Sequence, residues 1–183
     1  MSIGLKKGTV KLEPHSLEWE TAAQNIIVKL KEILKKDIVD AQHIGSTSIK
    51  GIYAKPIIDI VVGVESFDKI FIHNDILSAN GIIYRRQDHP GQHLYICGDL
   101  QNNIHTHYIH VVIWGEKAWN DYINMRDYLN AHPEKAIEYS ELKKALADKL
   151  PNDRVAYTDA KSCFIEKTLK EALMWRDRIN QII

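Results

Sequence analysis

Residues 57–64, Ile-Ile-Asp-Ile-Val-Val-Gly-Val, constrain the fold more than any other stretch of the chain. They are β-branched nearly throughout, the composition of a central strand covered on both faces. One carboxylate, Asp59, sits inside this run. Left ionised and unpaired it would be very costly to bury, so it needs a cation, a metal or hydrogen-bond donors beside it. A structural ion pair with Lys55 or a distant arginine is one solution. A functional site is the other, because perturbed carboxylates concentrate at such sites.

The segment before the strand favours the functional solution. Gly45 and Gly51 bracket Ser46, Thr47 and Ser48, a turn that offers three hydroxyls and a run of backbone N–H groups. Such a turn can cradle a phosphate or carboxylate, best where it opens a helical turn. A Gly-Ser pair on its own is a weak signal. What strengthens it is an aspartate on a strand shortly downstream.

The string Ile44-Gly45-Ser46-Thr47-Ser48-Ile49, followed by Ala54-Lys55-Pro56-Ile57-Ile58-Asp59-Ile60, resembles the GrpB family, a branch of the nucleotidyltransferase superfamily. The resemblance extends to Pro14, Trp19, His107, His110, Arg126-Asp127-Tyr128-Leu129, His132-Pro133 and Tyr157-Thr158-Asp159-Ala160-Lys161. It implies an α+β, nucleotidyltransferase-like fold: a mixed central sheet flanked by helices, in one domain with a sheet-containing core over 1–115 and a helical part over 116–183. Two departures stand out. Lys50 occupies a place where the family commonly has proline, which predicts a looser turn, and His105 replaces a common arginine.

The 183 residues suit one domain with a real core, and 45% apolar with 26% charged residues is ordinary for a soluble globular chain. Lys+Arg and Asp+Glu both total 24, so the basic surplus of a nonspecific nucleic-acid binder is missing. Cys97 and Cys163 have no metal-ligand spacing and fit a reducing cytoplasm. Residues 1–11 lack the apolar stretch of a signal peptide, and no run is long enough to span a membrane. The expectation is therefore a cytoplasmic protein, and monomer and homodimer are both compatible with the sequence.

Along the chain, Thr9–Glu13 alternates as a short strand would. Apolar spacing predicts a helix from Ser16, its N-cap, to Lys36. Val39–Ile44 reads as a strand, and a second helix runs from Ser66 to a stop at Gly81. Ile82–Arg86 and His93–Cys97 read as paired strands, with Arg85 and Arg86 on opposite faces. His105–Trp114 is a strand on which His105 and His107 share one face and His110 takes the other. Helices follow over about Lys117–Ala131, Pro133–Leu150 and Thr158–Ile182. Lys161 falls in the first turn of the last helix, where a cation is electrostatically misplaced unless an anion sits there.

The resemblance implies metal-assisted nucleotidyl transfer. A divalent cation (Mg²⁺ or Mn²⁺) would be held by Asp59, His107 and His110, with Asp59 and His107 as catalytic groups. Phosphates would meet Gly45, Ser46, Thr47, Ser48, Lys55, Arg85, Arg126, Tyr157 and Lys161. Against this, the superfamily pairs carboxylates at alternate strand positions, and the alternate neighbours of Asp59 are Ile57 and Val61. The alternative is a non-catalytic module that binds a nucleotide or another phosphorylated ligand. Relatives of this domain look to occur fused to dephospho-CoA kinase, and that association makes a coenzyme A precursor a conceivable ligand.

Overall fold

The structure, a computed structural model, describes residues 3–181. In chain order the elements are β1 (Leu5–Lys6), α1 (Leu17–Leu34), β2 (Asp40–Ile44), β3 (Ile58–Val64), α2 (Asp68–Phe71) and α3 (Asn74–Ala79). They continue with β4 (Ile83–His89), β5 (Gln92–Cys97), β6 (Ile104–His105), β7 (His107–Ile113), α4 (Lys117–Ala131), α5 (Pro133–Lys149), α6 (Arg154–Asp159) and α7 (Ser162–Asn180). None of the described helices is long and apolar enough to cross a membrane.

Five strands form a mixed sheet in the order β2-β3-β7-β5-β4, in which only β3 and β7 run parallel. The apolar run at its centre is covered on both sides, as its composition requires. Ile58, Ile60, Val62 and Val64 share one face with Ile109 and Val111 and bury it against Trp19, Ile26, Ile27 and Leu30 of α1. Val61, with Ile44 and Val112, packs on the other face against Trp119 of α4. Gly63 keeps that second face shallow, because a Cβ there would lie 2.7 Å from the Trp114 ring and 3.0 Å from that of Trp119. The C-terminal helices close over this face, with Leu129, Ala136 and Tyr139 buried against Ile49 and Ile52 of the turn region.

Several local expectations are corrected. Residues 9–13 form no strand; only Glu13 bridges to Ala54, while a short strand lies earlier, at β1. The helix expected over 66–80 breaks into α2 and α3. The last helix likewise divides into α6 and α7 around Ala160–Lys161, so Lys161 takes the N-cap position of α7 instead of its first turn. Ile182, placed in that helix from its apolar stripe, lies outside the described residues. Ser16 caps α1 as expected, its hydroxyl accepting from the Glu18 amide at 3.2 Å.

Candidate functional site

The turn after β2 and the carboxylate on β3 meet directly. In the antiparallel register of β2 and β3, Ile44 lies opposite Asp59, so Gly45 emerges beside the carboxylate. Gly45 has φ +69°, and a Cβ on it would sit 2.5 Å from Asp59 Oδ2. Only glycine satisfies both demands. Gly45→Ala is expected to cost at least about 2 kcal/mol from the left-handed backbone and the clash together, measured by denaturant unfolding, and to displace the Asp59 carboxylate.

The three hydroxyls hold the turn in shape. Thr47 Oγ1 pairs with His43 Nε2 at 2.9 Å, Ser48 Oγ donates to the Gly45 carbonyl at 2.7 Å, and the Ser46 hydroxyl faces the buried Tyr139 phenol. Lys50 does not loosen the loop, because its backbone N–H donates to Asn130 Oδ1 at 3.1 Å while Asn130 Nδ2 donates to the Ser48 carbonyl at 3.0 Å. A proline at 50 could not make the first of these bonds. Asn130→Ala is therefore expected to lower stability by about 1 kcal/mol, again read by denaturant unfolding.

The partner of Asp59 is His110, whose Nε2 lies 3.3 Å from Asp59 Oδ1. Parallel pairing places Tyr108 opposite Asp59 and His110 opposite Val61, all on one face of the sheet. A chain of hydrogen bonds fixes the imidazole. Tyr122 donates its hydroxyl to Gln92 Oε1 at 2.7 Å, which turns Gln92 Nε2 toward Asp88 and toward His110 Nδ1 at 3.4 Å. His110 Nδ1 therefore accepts, and Nε2 carries the proton it gives to Asp59.

In front of Asp59 lies a cavity of about 540 Å³ between the sheet face, the turn and the C-terminal helices. Gly45, Ser46, Thr47, Lys55, Arg126, Tyr157 and Lys161 line it with Asp59, and so do Lys143 and Arg154, two cations that sequence reasoning missed. Tyr157 is fully buried, with the Lys55 ammonium 5.0 Å and the Lys161 ammonium 4.7 Å from its ring centre. Lys143 is 1% exposed, donates to the Tyr53 carbonyl and lies 4.5 Å from the Tyr139 ring centre. Arg154 stacks 5.2 Å from the Tyr108 ring centre. Among the described residues none of these four cations makes an ion pair.

Their electrostatics record the crowding. Burial, with repulsion from Arg154 and Lys161, brings the Lys55 amine down to about 7, although Asp59 opposes the shift. Burial and the neighbouring Lys161 and Lys55 bring Lys143 down to about 6. Lys161 falls to about 8, chiefly by burial, against the pull of Asp59. The two carboxylates on the cavity wall are already engaged, Asp59 by His110 and Asp121 by Lys117, so a cavity that strips water from several basic groups is matched to an anion from outside.

Other expected site residues lie elsewhere. His107 is on the opposite face of the sheet, turned toward Ala22 of α1, because strand side chains alternate and Asp59 shares its face with Tyr108 and His110. It cannot act beside Asp59 or join it around a metal. His105 falls outside the β7 register and pairs with the Tyr108 hydroxyl at 2.8 Å, so it does not share a strand face with His107. Arg85 is exposed at a bulge between Tyr84 and Arg86 and lies outside the cavity, though its charge reaches the Tyr108 phenol. Arg126 borders the cavity but is already engaged: Nε bonds to Asp127 at 2.8 Å, and Nη1 bonds to Gln42 at 2.7 Å and to the His43 carbonyl at 3.2 Å. Its work is to pin α4 to the end of β2.

For a divalent cation, the donor chemistry fits poorly. Asp59 and His110 are the only pair left from the expected set, and Ile57 and Val61 hold the places a second carboxylate would need. Among the described residues no three His, Cys, Asp or Glu side chains are arranged to hold a metal. The adjacent lysines would also repel it.

Comparison with known proteins gives a consistent relationship. The model of the family described as GrpB protein matches residues 9–171. The glutamate-rich protein GrpB of Alkalihalophilus pseudofirmus is 41% identical over 172 residues, covering 92% of this chain and 99% of that protein. A crystal structure of the conserved protein GrpB from Enterococcus faecalis superimposes with a TM-score of 0.84 at 30% identity, covering 91% of this chain and 99% of that one. More remotely, a dephospho-CoA kinase of Mycolicibacterium paratuberculosis is 24% identical over 197 residues, covering 94% of this chain but 48% of that protein.

Proposed function

This chain belongs to the GrpB family, and from that premise we propose that its cavity binds a phosphorylated small molecule of nucleotide size without help from a metal ion. One observation carries the reading: Lys55, Lys143, Arg154 and Lys161 line one cavity with no ion-pair partner among the described residues. Side-chain cations there would supply the charge that divalent ions supply in a metal-dependent enzyme. The cavity volume of about 540 Å³ lies within the range of small-molecule sites.

The Gly45-Ser46 turn running into the strand that bears Asp59 supports kinship with the nucleotidyltransferase superfamily and its fold. The missing second carboxylate argues that this chain keeps the pocket and has lost two-metal chemistry. Dephospho-CoA belongs in the ligand panel because a relative bears that kinase's name.

Calorimetric titration with ATP, GTP, CTP and dephospho-CoA, in EDTA and then with Mg²⁺ or Mn²⁺, tests the proposal. Binding in EDTA that divalent ions do not strengthen, with no release of pyrophosphate, is the expected result. Binding that requires the metal, with pyrophosphate release, would instead establish nucleotidyl transfer.

A further inference from the structure

Asp59 is at odds with an anion site, since it repels any phosphate that enters. Its side chain is nevertheless 29% exposed toward the cavity, and the structure commits several groups to holding it there. Gly45 has no Cβ, which makes room for Oδ2, and the Tyr122–Gln92–His110 chain delivers one N–H to Oδ1. Oδ1 is thus supplied by the protein, and the remaining acceptor capacity of the carboxylate faces the cavity. A ligand that filled this space would strip water from that carboxylate. Unless the ligand offers a donor in exchange, the carboxylate is left buried and unsatisfied. An ammonium donor is disfavoured by Lys55 and Lys161, both near enough to couple electrostatically with Asp59. A hydroxyl is not.

We infer that Asp59 is a specificity residue that accepts a hydrogen bond from a sugar hydroxyl, so that the ligand is a nucleoside polyphosphate whose ribose meets Asp59 while its phosphates meet Lys55, Lys161 and Arg154. The inference rests on the anion-site reading above and narrows it. The half-buried apolar side chains on the cavity wall, Met125, Ile165 and Leu169, suit the base. His110 acts through Asp59 as a positioning residue. A site built to bond a hydroxyl discriminates strongly against the analogue that lacks it, because its own polar group is then left unpaired.

The test compares ADP, 2′,3′-dideoxy-ADP and inorganic pyrophosphate by calorimetry in EDTA, with the native protein, Asp59→Ala and Asp59→Asn. The native protein is expected to prefer ADP over the dideoxy analogue by about ten- to a hundredfold, the penalty of an unsatisfied buried acceptor. Asp59→Ala should bring that ratio close to one and bind pyrophosphate more tightly than the native protein, because a like charge is gone. Asp59→Asn keeps an acceptor of nearly the same shape, so it should retain part of the preference and confirm the result if the alanine variant folds poorly. Equal binding of ADP and its dideoxy analogue to the native protein overturns the inference and leaves the anion site standing. Binding of pyrophosphate alone, or an unchanged ratio in Asp59→Ala, overturns it in the same way. If none of the three ligands binds, the inference falls, and the titration with ATP, GTP, CTP and dephospho-CoA decides the anion-site reading separately.

Discussion

Replacing Lys55 and Lys161 together with methionine is expected to weaken binding of a phosphorylated ligand by more than about a hundredfold. Each ammonium would make a charge-assisted bond worth about 1.5–3 kcal/mol, and the two act on the same anion. Methionine keeps most of the aliphatic stem that packs near Tyr157, so the change removes charge and leaves packing largely intact. The double variant should melt no lower than the native protein without ligand, because two desolvated, mutually repelling cations have been removed. Calorimetric titration with the tightest ligand of the panel, beside a thermal melt, separates the two effects. Undiminished affinity in a folded double variant would sink the anion-site reading.

Affinity for that ligand should also fall steeply as pH rises. In the empty cavity Lys143, Lys55 and Lys161 are held down to about 6, 7 and 8 from a usual value of 10.5. An anion among them favours the charged forms and raises all three, so binding takes up protons wherever the empty site has lost them. Below about pH 6 the lysines are already charged and uptake vanishes. Between about 6 and 9 each lysine that must be recharged weakens binding, up to tenfold per pH unit. The expected result is an affinity loss of at least about tenfold from pH 6 to pH 9. Calorimetry in two buffers of different ionisation heat should report net proton uptake near pH 8. The same shifts act on folding with opposite sign. The unfolded chain holds more protons on these lysines than the native state between about 6 and 10.5, so their contribution makes the ligand-free protein more stable as pH rises through that window.

How far the site could be read from the chain depended on how local each signal was. The turn and strand were legible because Gly45 and Asp59 lie close in sequence and strand composition is a short-range signal. Tertiary information decided between His107 and His110. Alternation put them on opposite faces, but only the parallel register of β3 and β7 showed which face carried Asp59. Lys143 was hidden in a helix whose many charges resemble a solvated face. The clue was its spacing from the buried Ala136, Tyr139 and Ser140, which places a lysine on the apolar stripe of α5. Arg154 had no comparable signal, since α6 is one short helix cut from what read as loop and helix start. Lys161 was noticed for the right oddity, a cation at a helix start. What surrounds it is tertiary: it is buried beside the Tyr157 ring, with Asp59 of β3 and Arg154 of α6 acting on its charge.

The cavity walls come from two distant parts of the chain. Lys55, Asp59 and the Gly45 turn belong to the first third, whereas Lys143, Arg154 and Lys161 arrive on helices that pack over the sheet only after folding. A polyanion lodged between them would work as a removable cross-link, fastening the tail of the molecule to its sheet by drawing together charges that otherwise push apart. Its departure would loosen α6 and the start of α7 first, so backbone amides there should exchange with solvent fastest when the cavity is vacant and slow markedly once it is filled.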